Sequence, residues 1–201
     1  MNLYASKAAV NARLVPVVDR LAAAGVTPDQ LTLAAVPVAV AGGACLLAST
    51  AWPVLLLLIP VLVVARIVLN LLDGSMARRT GRIHPRGELF NEVGDRLADT
   101  AFLAPVAFLP GAMPEVVLLG VLAGVLASYT GITAKAAGGE RIYSGILSKP
   151  GRMALLSACS VWAFIAGPAD TLAWTVFGPV LLAGTCLTLL ERILTAVRRL
   201  A

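Results

Sequence analysis

Residues 65–78 read ARIVLNLLDGSMAR, and residues 87–99 read GELFNEVGDRLAD. Both stretches place ionisable side chains inside segments that are otherwise apolar enough for membrane helices. An ionisable residue within a membrane span costs on the order of several kcal/mol, so such residues usually face a polar cavity and have a function. The two stretches therefore predict polar helix faces inside a bundle of membrane helices.

The composition also indicates lipid as the solvent. The 201 residues are 59% hydrophobic and 13% charged, whereas soluble domains are about 25% charged. The net charge of +5 comes from 16 Lys and Arg residues. In so apolar a chain, basic residues are typical of cytoplasmic loops and do not indicate nucleic-acid binding. The three cysteines are scattered singly, without the spacing of a metal site or a disulfide framework.

Long apolar runs predict an all-α integral membrane protein, with six transmembrane helices in a single domain that spans residues 1–201. Each run approximates the ~20 residues that cross ~30 Å of hydrocarbon. An amphipathic helix at residues 3–22 is expected to precede them and to lie along the membrane surface, because charges interrupt its apolar face. The six runs lie at 31–50, 53–78, 88–109, 114–136, 152–167 and 171–195.

The basic residues of the loops all fall on one side of this plan. The loops that follow the first, third and fifth spans contain no Lys or Arg, whereas the opposite loops and both ends of the chain contain several. The positive-inside rule then places both termini and the two long loops in the cytoplasm.

Helical spacing places the polar residues of the two stretches on shared faces. One face holds Asn70, Asp73, Gly74 and Ala77, and the other holds Glu88, Asn91, Asp95 and Asp99. If the faces meet, carboxylate and amide oxygens converge near the cytoplasmic end of the bundle, and such oxygens suit Mg²⁺. An alternative is a buried ion-pair network in which arginines neutralise the aspartates and hold the helices together. The arginines available are Arg66, Arg78 and Arg96.

The two stretches resemble the signature of the CDP-alcohol phosphotransferases, D-x2-D-G-x2-A-R-x8-G-x3-D-x3-D. This chain reads Asn70-x2-Asp73-Gly74-x2-Ala77-Arg78-x8-Gly87-x3-Asn91-x3-Asp95, with every spacing kept and six of the eight defined positions matched. Residues 25–28 are also similar to the family's segment before its first span.

This resemblance implies an enzyme of phospholipid biosynthesis that transfers a phosphatidyl-type group from a CDP-linked lipid to an alcohol and releases CMP. It implies a homodimer and a divalent cation, Mg²⁺ or Mn²⁺, held around the lipid diphosphate. Asp73 would be a metal ligand, and Asp95 would be a metal ligand and a candidate general base. The residues implied to line the CDP site are Gly74, Ala77, Arg78 and Gly87.

The chain departs from the signature at two metal positions, Asn70 and Asn91, which are aspartates in the family. The formal charge of the motif falls from −4 to −2, and cation affinity should fall with it. Three outcomes are open: one metal instead of two, loss of catalysis, or compensation by another carboxylate. The candidates for compensation are Glu88, Glu92 and Asp99, and Asp99 is carried as a further candidate ligand. The pattern indicates a divergent branch of the family.

The second cytoplasmic loop, residues 135–152, holds candidates for recognising the acceptor alcohol. Arg141, Lys149 and Arg152 could receive the phosphate of an acceptor such as glycerol phosphate or inositol phosphate. Alternatively, they only enforce topology and touch lipid head groups. His84, the single histidine, is expected to be a solvated loop residue.

Two other functions fit parts of the pattern. A catalytically weak or inactive relative could keep the fold and bind a CDP-linked lipid without turnover, and the two asparagines favour that reading. A small transporter is the other reading. It is disfavoured because no internal repeat is visible and the charges lie near one membrane face rather than at the midplane.

Overall fold

A computed structural model describes residues 14–81 and 84–200 of the chain, and the regular secondary structure of these parts is helical. Two short 3₁₀ segments lie at Pro53–Leu57 and Ala104–Phe108. No strand occurs within the described ranges. The helices are residues 14–23 (α1), Pro28–Ala48 (α2), Leu58–Thr80 (α3), Pro85–Leu103 (α4), Pro114–Ala136 (α5), Lys149–Ala166 (α6) and Leu172–Leu200 (α7).

Local sequence explains where α1 ends and α2 begins. Gly25 has a φ of 79°, a left-handed conformation that glycine adopts without steric cost and that ends α1. Thr27 and Gln30 then form a capping box: the Gln30 N–H donates to Thr27 Oγ1 (3.3 Å), and the Thr27 N–H donates to Gln30 Oε1 (2.9 Å). Pro28 occupies the first helical position, where its missing N–H costs nothing.

Each of the six predicted spans overlaps one of the helices α2 to α7, with bounds that differ by up to six residues. Four segments are long and apolar enough to cross a membrane by length and composition: Pro28–Ala48, Pro53–Thr80, Pro114–Ala136 and Leu172–Leu200. Helices α4 and α6 are not among these four segments, so the count of six spans stays a prediction. The predicted interfacial helix at 3–22 lies partly outside the described residues, and its described portion, from residue 14, is helical.

Many large apolar side chains point outward. Four that are more than half exposed are Val61, Leu119, Leu122 and Leu190, on α3, α5 and α7. Exposed apolar surface on this scale is unusual for a soluble protein and is typical of a surface that contacts lipid or another protein. The outward side chains therefore agree with the membrane environment that the composition predicts.

The helices form two compact units. The first unit joins the described part of Met1–Val38 to Val64–Ala98, and the second joins Ala39–Val63 to the described part of Asp99–Ala201. The expectation of one domain over 1–201 stays a prediction.

In the first unit, α1 packs its apolar side against α2 and α3. Val18 is buried with Leu31, Leu72 and Met76. Val17, which helical spacing places on the apolar face of this helix together with Val18, is 42% exposed. An ion pair between Asp19 and Arg79 also joins α1 to the end of α3. In the described part of α1, Leu14, Val18 and Leu21 thus pack on protein.

In the second unit, small residues allow α5 and α7 to approach closely. A side chain at Gly120 would meet Leu181 at 2.9 Å, and one at Gly178 would meet Val117 at 3.2 Å. The Thr185 hydroxyl lies 3.1 Å from the Gly120 carbonyl oxygen, to which it donates. Close contact through small residues, with hydroxyl hydrogen bonds between helices, is the usual packing mode of membrane helices.

Candidate functional site

Asp95, on α4, forms hydrogen bonds with residues of α3 in the first unit. Its Oδ1 accepts a hydrogen bond from Asn70 Nδ2 at 2.9 Å. The same oxygen lies 3.4 Å from Arg66 Nη2, and that nitrogen also donates to the Asp95 backbone carbonyl at 3.1 Å. The side chain of Arg66 is 1% exposed and that of Asp95 is 17% exposed. The two polar faces deduced from helical spacing therefore meet, and an arginine lies at the junction.

Asp73, the second aspartate of the motif, is held from α2. Its Oδ2 accepts a hydrogen bond of 2.7 Å from the Thr32 hydroxyl, and both residues are buried. Thr32 lies one turn after the capping box, so the start of α2 sets the position of its hydroxyl. A buried carboxylate requires such a partner because its desolvation is costly.

Arg78 extends from the end of α3 into open space. Its Nη2 is 3.3 Å from Ser75 Oγ, and a side chain at Gly74 would lie 3.4 Å from its Nη1. A cavity of 280 Å³ next to it is also lined by Val15, Val18 and Arg79. Two guanidinium groups beside apolar side chains give this cavity the chemistry to hold an anion that is attached to an apolar chain.

Gly87 lies beneath two side chains at the start of α4. A side chain at Gly87 would lie 3.2 Å from His84 Cε1 and 3.3 Å from Asp29 Oδ1. His84 Nδ1 accepts a hydrogen bond from the Gly87 N–H at 2.9 Å, and its Nε2 is 3.6 Å from Asp29 Oδ2. His84 is thus an exposed residue that also caps α4, and the glycine makes room for it.

The other residues of the two stretches have separate surroundings. Ala77 and Asn91 are half-buried on α3 and α4, with Asn91 one turn before Asp95. Glu92 pairs with Arg96 on the same helix at 2.6 Å, and Glu88 is exposed. One of the three arginines considered for the ion-pair network, Arg96, thus pairs with a glutamate of its own helix.

Asp99 forms a buried ion pair in the second unit. Its Oδ2 lies 2.9 Å from Arg152 Nη2, and the two side chains are 10% and 2% exposed. A side chain at Gly124 would lie 3.4 Å from three atoms of the Arg152 side chain, so α5 leaves room for the guanidinium. The pair joins α4 to α6 and neutralises two charges that would be costly in a membrane.

The other two candidate acceptor residues lie on or beside the loop before α6. Arg141 stacks its guanidinium 4.7 Å from the centre of the Tyr143 ring. Lys149 is the first residue of α6, where the helix dipole disfavours a cation. The helix dipole therefore does not stabilise a lysine at this position. The two roles considered for Lys149 are to set the topology and to bind an anionic acceptor.

Arg192, on α7, fixes the same loop through backbone carbonyls. Its Nε donates to Ser144 O at 2.8 Å, its Nη1 to Ala127 O at 2.7 Å and its Nη2 to Tyr143 O at 3.0 Å. The Arg192 side chain is buried. One arginine thus ties the loop that carries Arg141 to α5 and α7.

Known proteins with similar sequences are membrane and phospholipid proteins. No family model matches the chain. The Escherichia coli inner membrane protein YnbA is 34% identical over 152 residues, which are 76% of this chain and 75% of that protein. The archaetidylinositol phosphate synthase of Pyrococcus horikoshii is 27% identical over 143 residues, 71% of this chain and 73% of that protein.

A solved structure with the same fold is the phosphatidylinositol phosphate synthase of Mycobacterium tuberculosis. Its complex with CDP-DAG superposes with a TM-score of 0.75 at 22% identity, over 90% of this chain and 92% of that chain. The chain belongs to the CDP-alcohol phosphotransferase family. The same synthase in complex with manganese and citrate gives a TM-score of 0.76 at 22% identity, over 90% of this chain and 88% of that chain.

The donor set of this family member suits one divalent cation that arrives with its substrate. Within residues 14–81 and 84–200, no group of three or more His, Cys, Asp or Glu residues is arranged to hold a metal ion. Two carboxylates, Asp73 and Asp95, remain, together with the amide oxygens of Asn70 and Asn91. Mg²⁺ commonly binds through one or two carboxylates plus substrate phosphates, so these residues fit a cation completed by a diphosphate.

Two contacts of the family motif, and the contacts of Arg192 with the loop before α6, were not predicted from the sequence. The hydrogen bond from the Thr32 hydroxyl to Asp73 could not be predicted, because the sequence shows only that Thr32 lies one turn into α2. Arg66 is four residues before Asn70, and that spacing marks it as a neighbour on α3 without assigning it to Asp95. Arg192 lies far along the chain in an apolar helix, where an intramembrane cation is itself a signal for a buried role.

Proposed function

We propose that the chain transfers a phosphatidyl-type group from a CDP-linked lipid, CDP-diacylglycerol, to an alcohol and releases CMP. The observation that carries the proposal is the hydrogen bond between Asn70 and Asp95, which unites the two halves of the family motif. Asp73, three residues after Asn70, adds a buried carboxylate to the same stretch of α3.

The reaction exchanges one phosphorus–oxygen bond for another. The acceptor hydroxyl oxygen bonds to the phosphorus that carries the lipid, and the bond from that phosphorus to the bridging oxygen of CMP breaks. Asp95 takes the proton of the hydroxyl, which is the work of a general base. Arg66 and Asn70 orient its carboxylate through contacts to Oδ1.

Arg78 is assigned to the diphosphate. Its guanidinium is exposed, and Gly74 leaves it uncovered on one side. A planar guanidinium binds phosphate oxygens with two parallel hydrogen bonds, which a lysine cannot do. Ala77 and Gly87 are assigned to the walls of the CDP site, with His84 and Asp29 beside Gly87.

A divalent cation, Mg²⁺ or Mn²⁺, would be held by Asp73 and Asp95 with the amide oxygens of Asn70 and Asn91. When bound, it supplies positive charge to the phosphoryl oxygens and to the departing CMP. Thr32 keeps Asp73 in one orientation through its 2.7 Å hydrogen bond. Asp99 is bonded to Arg152, so we assign it a structural role.

The acceptor we propose is a phosphorylated polyol such as inositol phosphate or glycerol phosphate. Arg141 and Lys149 would receive its phosphate, since both are cations on or beside a loop that Arg192 holds in place. Arg152 is buried against Asp99 and would support the loop rather than bind the acceptor directly. The name of the Pyrococcus relative, an archaetidylinositol phosphate synthase, supports inositol phosphate.

The orientation and assembly belong to the same proposal. Both termini and the site would face the cytoplasm, where the basic loops lie by the positive-inside rule, and the protein would act as a homodimer in the cell membrane.

Purified protein, CDP-diacylglycerol and Mg²⁺ or Mn²⁺ should be incubated with a panel of alcohols. The panel pairs inositol phosphate with inositol and glycerol phosphate with glycerol, so that the effect of the phosphate is isolated. We expect CMP release and a new phospholipid, identified by mass spectrometry, with one phosphorylated acceptor. CMP release that never exceeds the control without acceptor would refute the proposal.

A second candidate is a CDP-lipid-binding protein without turnover. The observation that favours it is that position 70 supplies a hydrogen-bond donor to Asp95 where the family signature has a carboxylate. Saturable binding of CDP-diacylglycerol without CMP release under any metal or acceptor would support this candidate.

A further inference from the structure

Arg66 and Asn70 both contact the carboxylate of Asp95 and reduce the negative charge that it presents to a cation. In the family signature, position 70 is an aspartate. Here Asn70 Nδ2 lies 2.9 Å from Asp95 Oδ1, and two carboxylate oxygens at that separation would repel each other strongly unless a proton or a cation lay between them. The amide turns this repulsion into a hydrogen bond.

Arg66 then adds a fixed positive charge at the same atom. Its side chain is 1% exposed, and a guanidinium buried inside a membrane helix bundle needs an anionic partner. Asp95 provides that anion through its Oδ1 at 3.4 Å, and its neutral backbone carbonyl accepts a hydrogen bond from the same guanidinium nitrogen at 3.1 Å. Since both acceptors belong to one residue, the guanidinium is fixed relative to the carboxylate.

At the four acidic positions of the motif this chain carries −2 where the signature carries −4. Arg66, which lies outside those four positions, adds +1 next to Asp95. Cation affinity follows the charge of the ligand set, so the second of two divalent cations loses its electrostatic basis.

We propose that Arg66 takes the electrostatic place of a second divalent cation beside Asp95, so that this chain binds one cation instead of two. The inference rests on the proposed function, because it assigns the metal count of the same site. Arg66 is a positioning residue: it acts on Asp95 and does not contact the substrate.

The test counts bound Mn²⁺ by electron paramagnetic resonance during titration of purified protein in detergent, without substrate. Wild type should bind one Mn²⁺ per chain. Arg66→Met should bind Mn²⁺ at least about tenfold more tightly, because the site becomes more negative, and its thermal unfolding temperature should rise with Mn²⁺ more than that of wild type. Arg66→Lys keeps the charge and should stay within about threefold of wild type.

Arg192→Met is the matched control, since it removes another buried arginine, which donates to three backbone carbonyls. It should lower stability without changing Mn²⁺ binding. If Arg66→Met is not recovered as folded protein, Arg66→Gln is measured in its place with the same expectation.

Two tight Mn²⁺ ions per wild-type chain would overturn the inference, and so would unchanged affinity in the neutral variants. CMP release by the same wild-type sample tests the proposed function separately. A sample that binds one Mn²⁺ but releases no CMP would refute the function and leave the metal count intact.

Discussion

Replacing Asp95 with asparagine tests the proposed general base with little change in shape. The variant keeps the side-chain volume, and its Oδ1 can still accept from Asn70 Nδ2. Arg66 keeps its hydrogen bond to the backbone carbonyl of residue 95 but loses the carboxylate at 3.4 Å. The substitution therefore removes one charge and the proton acceptor while the helix contact survives.

The expected effects on turnover and on stability differ in size. Losing a general base costs about 10²–10⁴-fold in rate, which corresponds to about 2.7–5.4 kcal/mol of transition-state free energy. Losing one hydrogen bond to a charged group costs about 1.5–3 kcal/mol of folding stability. We therefore expect Asp95→Asn to be purified as a folded protein with CMP release at least about 10²-fold below wild type.

The assay is CMP release from CDP-diacylglycerol with the preferred acceptor, with melting temperature measured on the same samples. Asp170→Asn is the matched control, because Asp170 is exposed and its Oδ1 only accepts the Leu172 N–H at 2.7 Å, which an amide oxygen also does. Asp99→Asn should lower turnover clearly less than Asp95→Asn. An equal loss would show that Asp99 serves as a cation ligand, and full turnover by Asp95→Asn would refute the mechanism.

Three further predictions concern contacts and topology. Thr32→Val should lower stability by about 1.5–3 kcal/mol by removing the hydroxyl from Asp73, and Thr32→Ser should not; equal melting temperatures of the two variants would contradict this. Arg152→Met should cost about 3–5 kcal/mol by leaving Asp99 buried without its guanidinium. Adding Asp99→Leu should recover most of that loss in a thermal unfolding assay, and a double variant no more stable than the single one would speak against the pair. A cysteine at Ala112, in a background without the native cysteines, should react with an impermeant reagent from outside intact cells; reaction only after the membrane is opened would reverse the proposed topology.

The sequence by itself determined the membrane character, the positions of α2 to α7 and the spacing of the motif. These features are local, because hydropathy over ~20 residues, proline and glycine at helix ends, and a repeat of three to four residues need no knowledge of distant chain. The capping box from Thr27 to Gln30 is an example, since both of its hydrogen bonds join residues three apart.

Only the tertiary structure decided which polar groups meet. Asp95 is bonded to a residue 29 positions away, Asp73 to one 41 positions away and Asp99 to one 53 positions away. Helical spacing shows which residues share a face, but the partner of that face depends on how the helices pack. Sequence spacing grouped Arg66, Arg78 and Arg96 as possible partners of the aspartates, whereas Arg152, which pairs with Asp99, comes from α6 and was not in that group. The physical reason is that periodicity is a property of one helix, whereas a buried ion pair across helices is a property of two.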